Sequence, residues 1–420
     1  MVKKIQLLPG ITLRCFQDNR FKKSCLTVQF VRPMCREEVA YNALLPAVLL
    51  RGCEGAPDMR SITLRLDDLY GASVSTLVRR IGDYQTVGLH CGFIEDDYAL
   101  EGDQIFAPMI AFLRQLLFAP VLESGAFNKD YVNHEKKNLI INIESMRNDK
   151  RSFAMAELFR IMCREDSYGI PRLGEVSQVK EVTAESLYKH YRRVLRESAV
   201  EIFYVGSKAP EEVEQLILPL FQGLERNYVN LTPQTKMRPC QGTEEEKIMD
   251  VTQGRLAMGF TTPINNQDPR FVTMQLVNTV FGGGVTGKLF TNVREKNSLC
   301  YDIGSSYYGV KGLLAVGAGI DFDKKDDVKA QVLAQLEACQ KGEISRQELT
   351  AAKQSMISGL RSVYDSVNGI ESYHATGAIS GLDLTPEEYE KKVEAVTVEM
   401  IAEAAKTVTL HTTFFIKGET

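Results

Sequence analysis

The side chains able to hold a metal, cradle a phosphate or act as a nucleophile are few and scattered. The five histidines are His90, His134, His190, His374 and His411, and none lies within five residues of another. The spacing that places two imidazoles on one helical face is therefore absent, and His90–Cys91 and His134–Glu135 are neighbours whose side chains diverge from a strand or helix. A zinc site built within this chain is not expected. Gly282-Gly283-Gly284-Val285-Thr286-Gly287-Lys288 fits the frame of a phosphate-cradling loop, but Leu289 stands where a magnesium-binding hydroxyl is needed. The preceding Phe271–Phe281 also has helical rather than strand spacing, so the glycines read as a turn. There is no Gly-x-Ser-x-Gly elbow, and no cysteine has a sequence-adjacent histidine to lower its pKa except Cys91 beside His90.

The next segment carries more: Lys288-Leu289-Phe290-Thr291-Asn292-Val293-Arg294-Glu295-Lys296-Asn297-Ser298-Leu299-Cys300-Tyr301-Asp302-Ile303. A guanidinium and a phenol in fixed relation can donate hydrogen bonds to a carbonyl oxygen as negative charge develops on it. The plain alternative is an Arg294 that caps a helix C-terminus and a Tyr301 half-buried in a strand. The segment resembles the second-half motif of the pitrilysin and insulinase superfamily of zinc peptidases, which includes the mitochondrial processing peptidase group. There a glycine-rich turn precedes a Leu-Phe helix, an Arg-Glu-Lys ending and a strand with a tyrosine seven residues after the arginine. Arg294 and Tyr301 keep that spacing, and the resemblance implies that they contact the backbone of a bound peptide.

The first half departs from the same family where catalysis resides. The family's inverted zinc motif, His-x-x-Glu-His, supplies two ligands and a general base. Aligning on Arg51-Gly52 places Ala43 and Ala47 at the histidine positions and Pro46 at the base. A methyl group cannot ligate zinc and proline cannot accept a proton. For the third family ligand, a glutamate on a later helix, Glu135 and Glu144 are both candidates, each with an ordinary reading as a solvated helix carboxylate.

Elements must position these residues. Alternating segments at 12–16, 24–31, 74–80, 84–92, 199–205, 255–260, 300–308 and 412–416 predict strands. Helices are expected over 38–50, with Pro46 suited only to a first turn, and over 105–117, 126–147, 152–163 and 271–280. Val182-Thr183-Ala184-Glu185 opens a helix followed by a strand ending on Gly206. Val396-Thr397-Val398-Glu399 opens the same sequence of elements about half a chain later, closing on Gly418. The chain is thus expected to contain two duplicated domains, residues 1–226 and 247–420, joined by a polar linker at 227–246 that carries Pro233, Pro239 and the solvated run Glu244-Glu245-Glu246. The fold class is α+β, each domain a mainly antiparallel sheet packed with helices, and the resemblance implies a clam-shell chamber.

Composition bounds the rest. With 420 residues, 44% hydrophobic and 25% charged, the chain is an ordinary globular protein of two or three domains. A formal net charge of −4 provides no broad basic field for nucleic acid. Nine scattered cysteines fit a reducing compartment, and apolar runs such as Leu44–Leu50 fall far short of the roughly 20 residues that span a bilayer. With too little apolar sequence before Pro9 for a signal peptide, a cytoplasmic protein without a membrane span is expected.

The resemblance then implies a companion subunit, inactive alone, that supplies peptide-binding and oxyanion-stabilising residues to a zinc-bearing homologous partner acting on extended peptides. Zinc belongs to that partner, and no cofactor is expected in this chain. Ser73 to Leu77 is the expected edge for strand addition. A non-enzymatic peptide-binding or assembly protein, and an enzyme with an unrelated site, are the other classes.

Overall fold

A computed structural model describes every residue except 1, 233, 239, 383 and 420, so that Pro233 and Pro239 of the expected linker lie outside the described residues. The strands, in chain order, are β1 (Lys3–Leu8), β2 (Ile11–Gln17), β3 (Lys23–Pro33), β4 (Ser73–Ile81), β5 (Tyr84–Ile94), the short pair β6 (Leu122–Glu123) and β7 (Ala126–Phe127), β8 (Ala199–Gly206), β9 (Glu244–Ile248), β10 (Gly254–Thr261), β11 (Asp302–Tyr308), β12 (Leu313–Ile320) and β13 (Thr409–Lys417). Helices intervene, and the class is α+β with two sheet-rich units.

The two large sheets repeat one topology. The first runs β1-β2-β8-β3-β5-β4 and the second β11-β12-β10-β13-β9. In each, the strand that closes the repeated helix–strand sequence lies parallel to one neighbour and antiparallel to the other. β8 pairs parallel with β2 and antiparallel with β3; β13 pairs parallel with β9 and antiparallel with β10. The shared element order that suggested duplication is matched by a shared strand order, with β1 as an addition to the first sheet.

The repeated helix start has a local cause. Thr183 Oγ1 accepts from the Ser186 amide (3.1 Å) at the head of the helix Ala184–Glu197, and Thr397 Oγ1 accepts from the Met400 amide (3.3 Å) before Val398–Ala405. Each bond satisfies one of the amides that a helix start leaves unpaired. Thr183→Ala and Thr397→Ala should each cost about 1 kcal/mol in urea unfolding; no measurable loss in either would show that the caps are redundant with packing.

The first unit comprises Met1–Glu144, Pro171–Thr232 and Tyr364–Thr376. Its core includes Ile11 and Leu13 of β2, Leu26 and Val28 of β3, Leu89 of β5, Leu44 of the helix Val39–Leu49 and Phe112 of the helix Phe106–Phe118. Pro46 lies inside Val39–Leu49, not in its first turn as its chemistry suggested. The ring removes one amide from the ladder, and burial of Leu44, Leu45, Val48 and Leu49 around it outweighs that loss. The expected helix from Ala126 starts only at Lys129, because Ala126–Phe127 pairs with Leu122–Glu123 and Asn128 accepts from the Tyr131 amide (3.0 Å).

The residues 364–376 are the unexpected part of this unit. Glu371, only 1% exposed, accepts from Arg79 Nη1 (3.0 Å) and Nη2 (2.8 Å), from Thr27 Oγ1 (3.0 Å) and from Gln29 Nε2 (2.9 Å). Phe16 lies against Tyr364 and stacks on His374. The segment is thereby fixed to β2, β3 and β4.

The second unit comprises Ser145–Ile170, Pro233–Val363 and Gly377–Thr420. It takes a helix from the first half of the sequence: Ala154, Leu158 and Met162 of Lys150–Met162 pack on Ala257, Ala315 and Phe414. A Cβ on Gly259 of β10 would stand 2.6 Å from Met162 Sδ, so the helix seats where the strand has no side chain. The buried pair Lys311–Asp166 (3.2 Å) holds the far end of that segment. The run Glu244-Glu245-Glu246, expected as a solvated part of the linker, has Glu244 and Glu246 exposed but forms the first part of edge strand β9. Glu244 and Glu246 pair with Lys325, and Glu246 also with Lys417. Those two ammonium groups pull the Glu246 carboxyl down to about 2.

Candidate functional site

The glycine turn leads into the motif under tight steric control. A Cβ on Gly282 would meet Leu289 Cδ1 at 2.5 Å and Ser305 Oγ at 2.9 Å, so glycine alone lets helix end and strand approach. Lys288 Nζ is paired with Glu348 (2.7 Å), with its side chain 8% exposed. A buried, neutralised ammonium cannot reach a phosphate, which agrees with the turn reading.

Leu289–Lys296 is a wide helical turn anchored in the core by Leu289 and Val293. Its end is looser than an α-helix: the Asn297 amide donates to Asn292 O (3.2 Å) and the Leu299 amide to Val293 O (3.1 Å). Ser298 follows with φ +52°, a left-handed conformation costly for a residue with a side chain. Such widened turns are frequent where a side chain must be aimed at a ligand.

The turn brings Arg294 and Tyr301 together. Arg294 Nε donates to the Tyr301 carbonyl (2.9 Å), Nη1 lies 3.2 Å from Glu295, and the guanidinium sits 4.7 Å from the centre of the Phe290 ring. Nη2 has no partner among the described residues. Tyr301 is tied to β12 by its amide, which donates to Gly319 O (2.8 Å), and its ring is 57% exposed rather than half-buried. Its hydroxyl donates to Asp321 Oδ1 (2.7 Å), and that carboxylate beside it raises the phenol's pKa. Both residues line an open cavity of about 440 Å³ with Glu295, Ser298, Cys300 and Asp321. Burial pushes the Cys300 thiol up to about 11, so it is no nucleophile near neutral pH.

Sequence reasoning missed Asp321, Glu295 and Phe290. Glu295 and Phe290 lie within the motif itself, Phe290 one helical turn before Arg294 and Glu295 directly after it. Asp321 follows β12 and reaches Tyr301 only across the sheet, so no local pattern announces it.

The positions aligned with the family's zinc motif present no ligand set. Ala43 and Pro46 are buried and Ala47 half-buried on Val39–Leu49. Of the two candidate distal glutamates, Glu135 pairs with Arg51 and accepts from Asn138 Nδ2 (3.2 Å), and Glu144 is exposed. The histidines are dispersed: His134 Nδ1 contacts Asp130 O (2.7 Å), His190 Nε2 contacts Asn42 Oδ1 (2.7 Å), and His411 Nε2 contacts Cys240 O (3.0 Å). His90 Nε2 lies 3.2 Å from Cys25 Sγ and 2.9 Å from Asn368 Oδ1. A catalytic thiol–imidazole pair orients its base through the other ring nitrogen, and Cys25 is fully buried with its pKa raised by desolvation. Among the described residues no three histidine, cysteine or acidic side chains converge as a metal site requires. The residues present do not fit zinc. Nor is any helix among the described residues long and apolar enough to cross a membrane.

Comparison with known proteins agrees with this geometry. The family model described as the peptidase M16 inactive domain matches residues 181–356. The "Probable inactive metalloprotease YmfF" of Bacillus subtilis (strain 168) is 30% identical over 412 residues, 97% of this chain and 96% of that protein. An "Uncharacterized zinc protease" of Rickettsia bellii is 22% identical over 281 residues, 65% of this chain and 66% of its own. Among solved structures, a conserved protein from Enterococcus faecalis V583 superposes with a TM-score of 0.91 at 28% identity, covering 100% of this chain and 99% of the other. A peptidase M16 inactive domain from Pseudomonas fluorescens shares the fold at 16% identity, with a TM-score of 0.81 over 100% of this chain and 98% of its own.

Proposed function

We propose that this chain, which belongs to the peptidase M16 family as an inactive-metalloprotease homologue without the His-x-x-Glu-His motif, is the companion subunit of a zinc-bearing homologue. In this reading it grips extended peptides by their main chain, while hydrolysis belongs to the partner. One observation carries the reading. Arg294 and Tyr301 share an open cavity with the Glu295 and Asp321 carboxylates, whereas alignment on Arg51-Gly52 sets Ala43, Pro46 and Ala47 where the family has its two ligands and base.

The chain's own contributions follow from chemistry. The Nη2 edge of Arg294 can donate to a peptide carbonyl, and its bond to the Tyr301 carbonyl and contact with Phe290 limit the freedom lost on binding. Tyr301 can donate only by exchanging Asp321 for the peptide. That exchange favours a ligand oxygen more basic than a ground-state carbonyl, which is the property of a developing oxyanion. Extended peptide would add to β4, an edge strand whose Ser73, Ser75 and Thr76 are exposed.

Strand addition is testable in the isolated chain. Proline at Ser75 or at Thr76 removes one amide each, and outward-pointing amides alternate along an edge strand. One of the two variants should weaken binding of a fluorescent extended peptide by roughly tenfold, the worth of one hydrogen bond. Equal affinity in both would remove β4 from the reading. A second reading, a non-enzymatic peptide-binding or assembly protein, is favoured by the commitment of the Tyr301 proton to Asp321. It predicts peptide affinity without any effect of Arg294 on a partner's cleavage rate.

A further inference from the structure

A second and larger cavity, of about 1020 Å³, lies in the first unit. It belongs neither to the Arg294–Tyr301 site nor to the aligned zinc-motif positions. One of its walls is the helix Ala184–Glu197, which lends it Lys189, Arg192, Arg193 and Arg196. These positions recur at intervals of three and four residues, so the helix presents four cations on one stripe. Tyr41, Phe118 and Tyr188 supply aromatic surface, and Glu37 and Glu225 are the acidic residues of the lining.

The charges are not all neutralised locally. Arg196 pairs with Glu197 (2.9 Å) and Arg193 with Glu38 (2.9 Å). Lys189 and Arg192 are exposed and make no hydrogen bond or ion pair among the described residues. Lys189 and Arg192 therefore add uncompensated positive charge to the concavity.

Arg193 is also built into place. Its Nη2 donates to His190 Nδ1 (3.0 Å), while His190 Nε2 donates to Asn42 Oδ1 (2.7 Å). His190 is buried, and Asn42 is held in turn by its Nδ2, which donates to Gln85 Oε1 (2.9 Å). Burial, and the nearby Arg193 and Arg32, depress the imidazole's pKa to about 3, so Nδ1 remains an acceptor for the guanidinium. Nε and Nη1 of Arg193 have no partner among the described residues, and the side chain is 44% exposed. A guanidinium oriented from behind, with donors to spare and two unpaired cations on the same helix face, matches the requirements of oxyanion recognition.

We infer that this cavity binds a multivalent oxyanion, the chemistry shared by phosphoryl and polycarboxylate groups, with Lys189, Arg192 and Arg193 as its donors. Multivalence follows from the number of donors: Lys189, Arg192 and Arg193 offer several N–H groups in one cavity, and only a ligand with several charged oxygens engages them at once.

The test is calorimetric titration of the full chain at low ionic strength with pyrophosphate and, separately, with citrate. Saturable one-to-one binding of at least one, with Kd below roughly 1 mM and weakening as salt rises, is expected. Pyrophosphate alone would identify a phosphoryl ligand, citrate alone a carboxylate ligand, and both the shared class. The double variant Lys189→Ala/Arg192→Ala, at exposed positions where folding is not at stake, should raise Kd by roughly tenfold or more. Arg193→Ala should do the same, and Arg193→Lys should recover only part because an ammonium lacks the fork. Absence of saturation with either anion, or unchanged affinity in the double variant, would overturn the inference.

Discussion

Alanine at Arg294 is expected to lower kcat/KM for peptide cleavage by a zinc-bearing homologue assayed with this chain by roughly 10²–10³-fold, the usual cost of losing one preorganised donor to a developing oxyanion. The substitution removes the Nη2 donor and leaves the Tyr301 carbonyl without its Nε partner. Arg294→Lys should rescue little, because one ammonium cannot hold that carbonyl and reach a ligand in a fork. Tyr301→Phe should cost less, since the hydroxyl proton is already shared with Asp321 in the free state. The arginine is partly exposed and packs over Phe290 at the surface of its unit. The variant should therefore fold normally, and an effect on cleavage would not reflect collapse of the chain. Unchanged kcat/KM in both variants would move the function to the peptide-binding or assembly reading.

The second large effect concerns stability. Glu371→Ala should destabilise the first unit by about 3–5 kcal/mol, because Arg79 loses its bidentate partner and Thr27 and Gln29 are left with unmet donors in a buried site. For a unit of this size that corresponds to a fall of roughly 6–20 °C in the unit's melting temperature. Glu371→Gln keeps an acceptor for Thr27 and Gln29 but loses the charge that faces Arg79, and should fall between the two. Calorimetry with the wild type alongside checks both; a change under about 1 kcal/mol for the alanine variant would mean that the ion pair behaves as an exposed one.

The same glutamate marks the limit of what the sequence discloses. Strand alternation and the two threonine caps are local signals, and they predict β8, β13 and the helices before them. Repetition of that pattern also anticipates two sheets of one topology. Glu371 packing on β3 and β4, and Met162 packing on Gly259, join residues far apart in the chain. Nothing within a window of ten residues encodes such partners. Pro46 and Glu244–Glu246 misled for a related reason: a proline in a helix and a run of carboxylates are locally unfavourable, and tertiary burial or lysine partners overrule them. At the candidate site, Arg294 and Tyr301 were picked out by the resemblance of the whole motif around them, since the two residue types alone fit a helix cap and a strand tyrosine equally well. Asp321, which holds the phenol, was not, because it meets Tyr301 across neighbouring strands.

The most direct test of the division of labour is made on the chain alone: zinc content by elemental analysis after purification without chelator, together with hydrolysis of a quenched fluorescent peptide. The account predicts zinc far below one ion per chain and no hydrolysis until a homologue with an intact His-x-x-Glu-His is added. One tightly held zinc per chain, with chelator-sensitive cleavage in the absence of any partner, would contradict it.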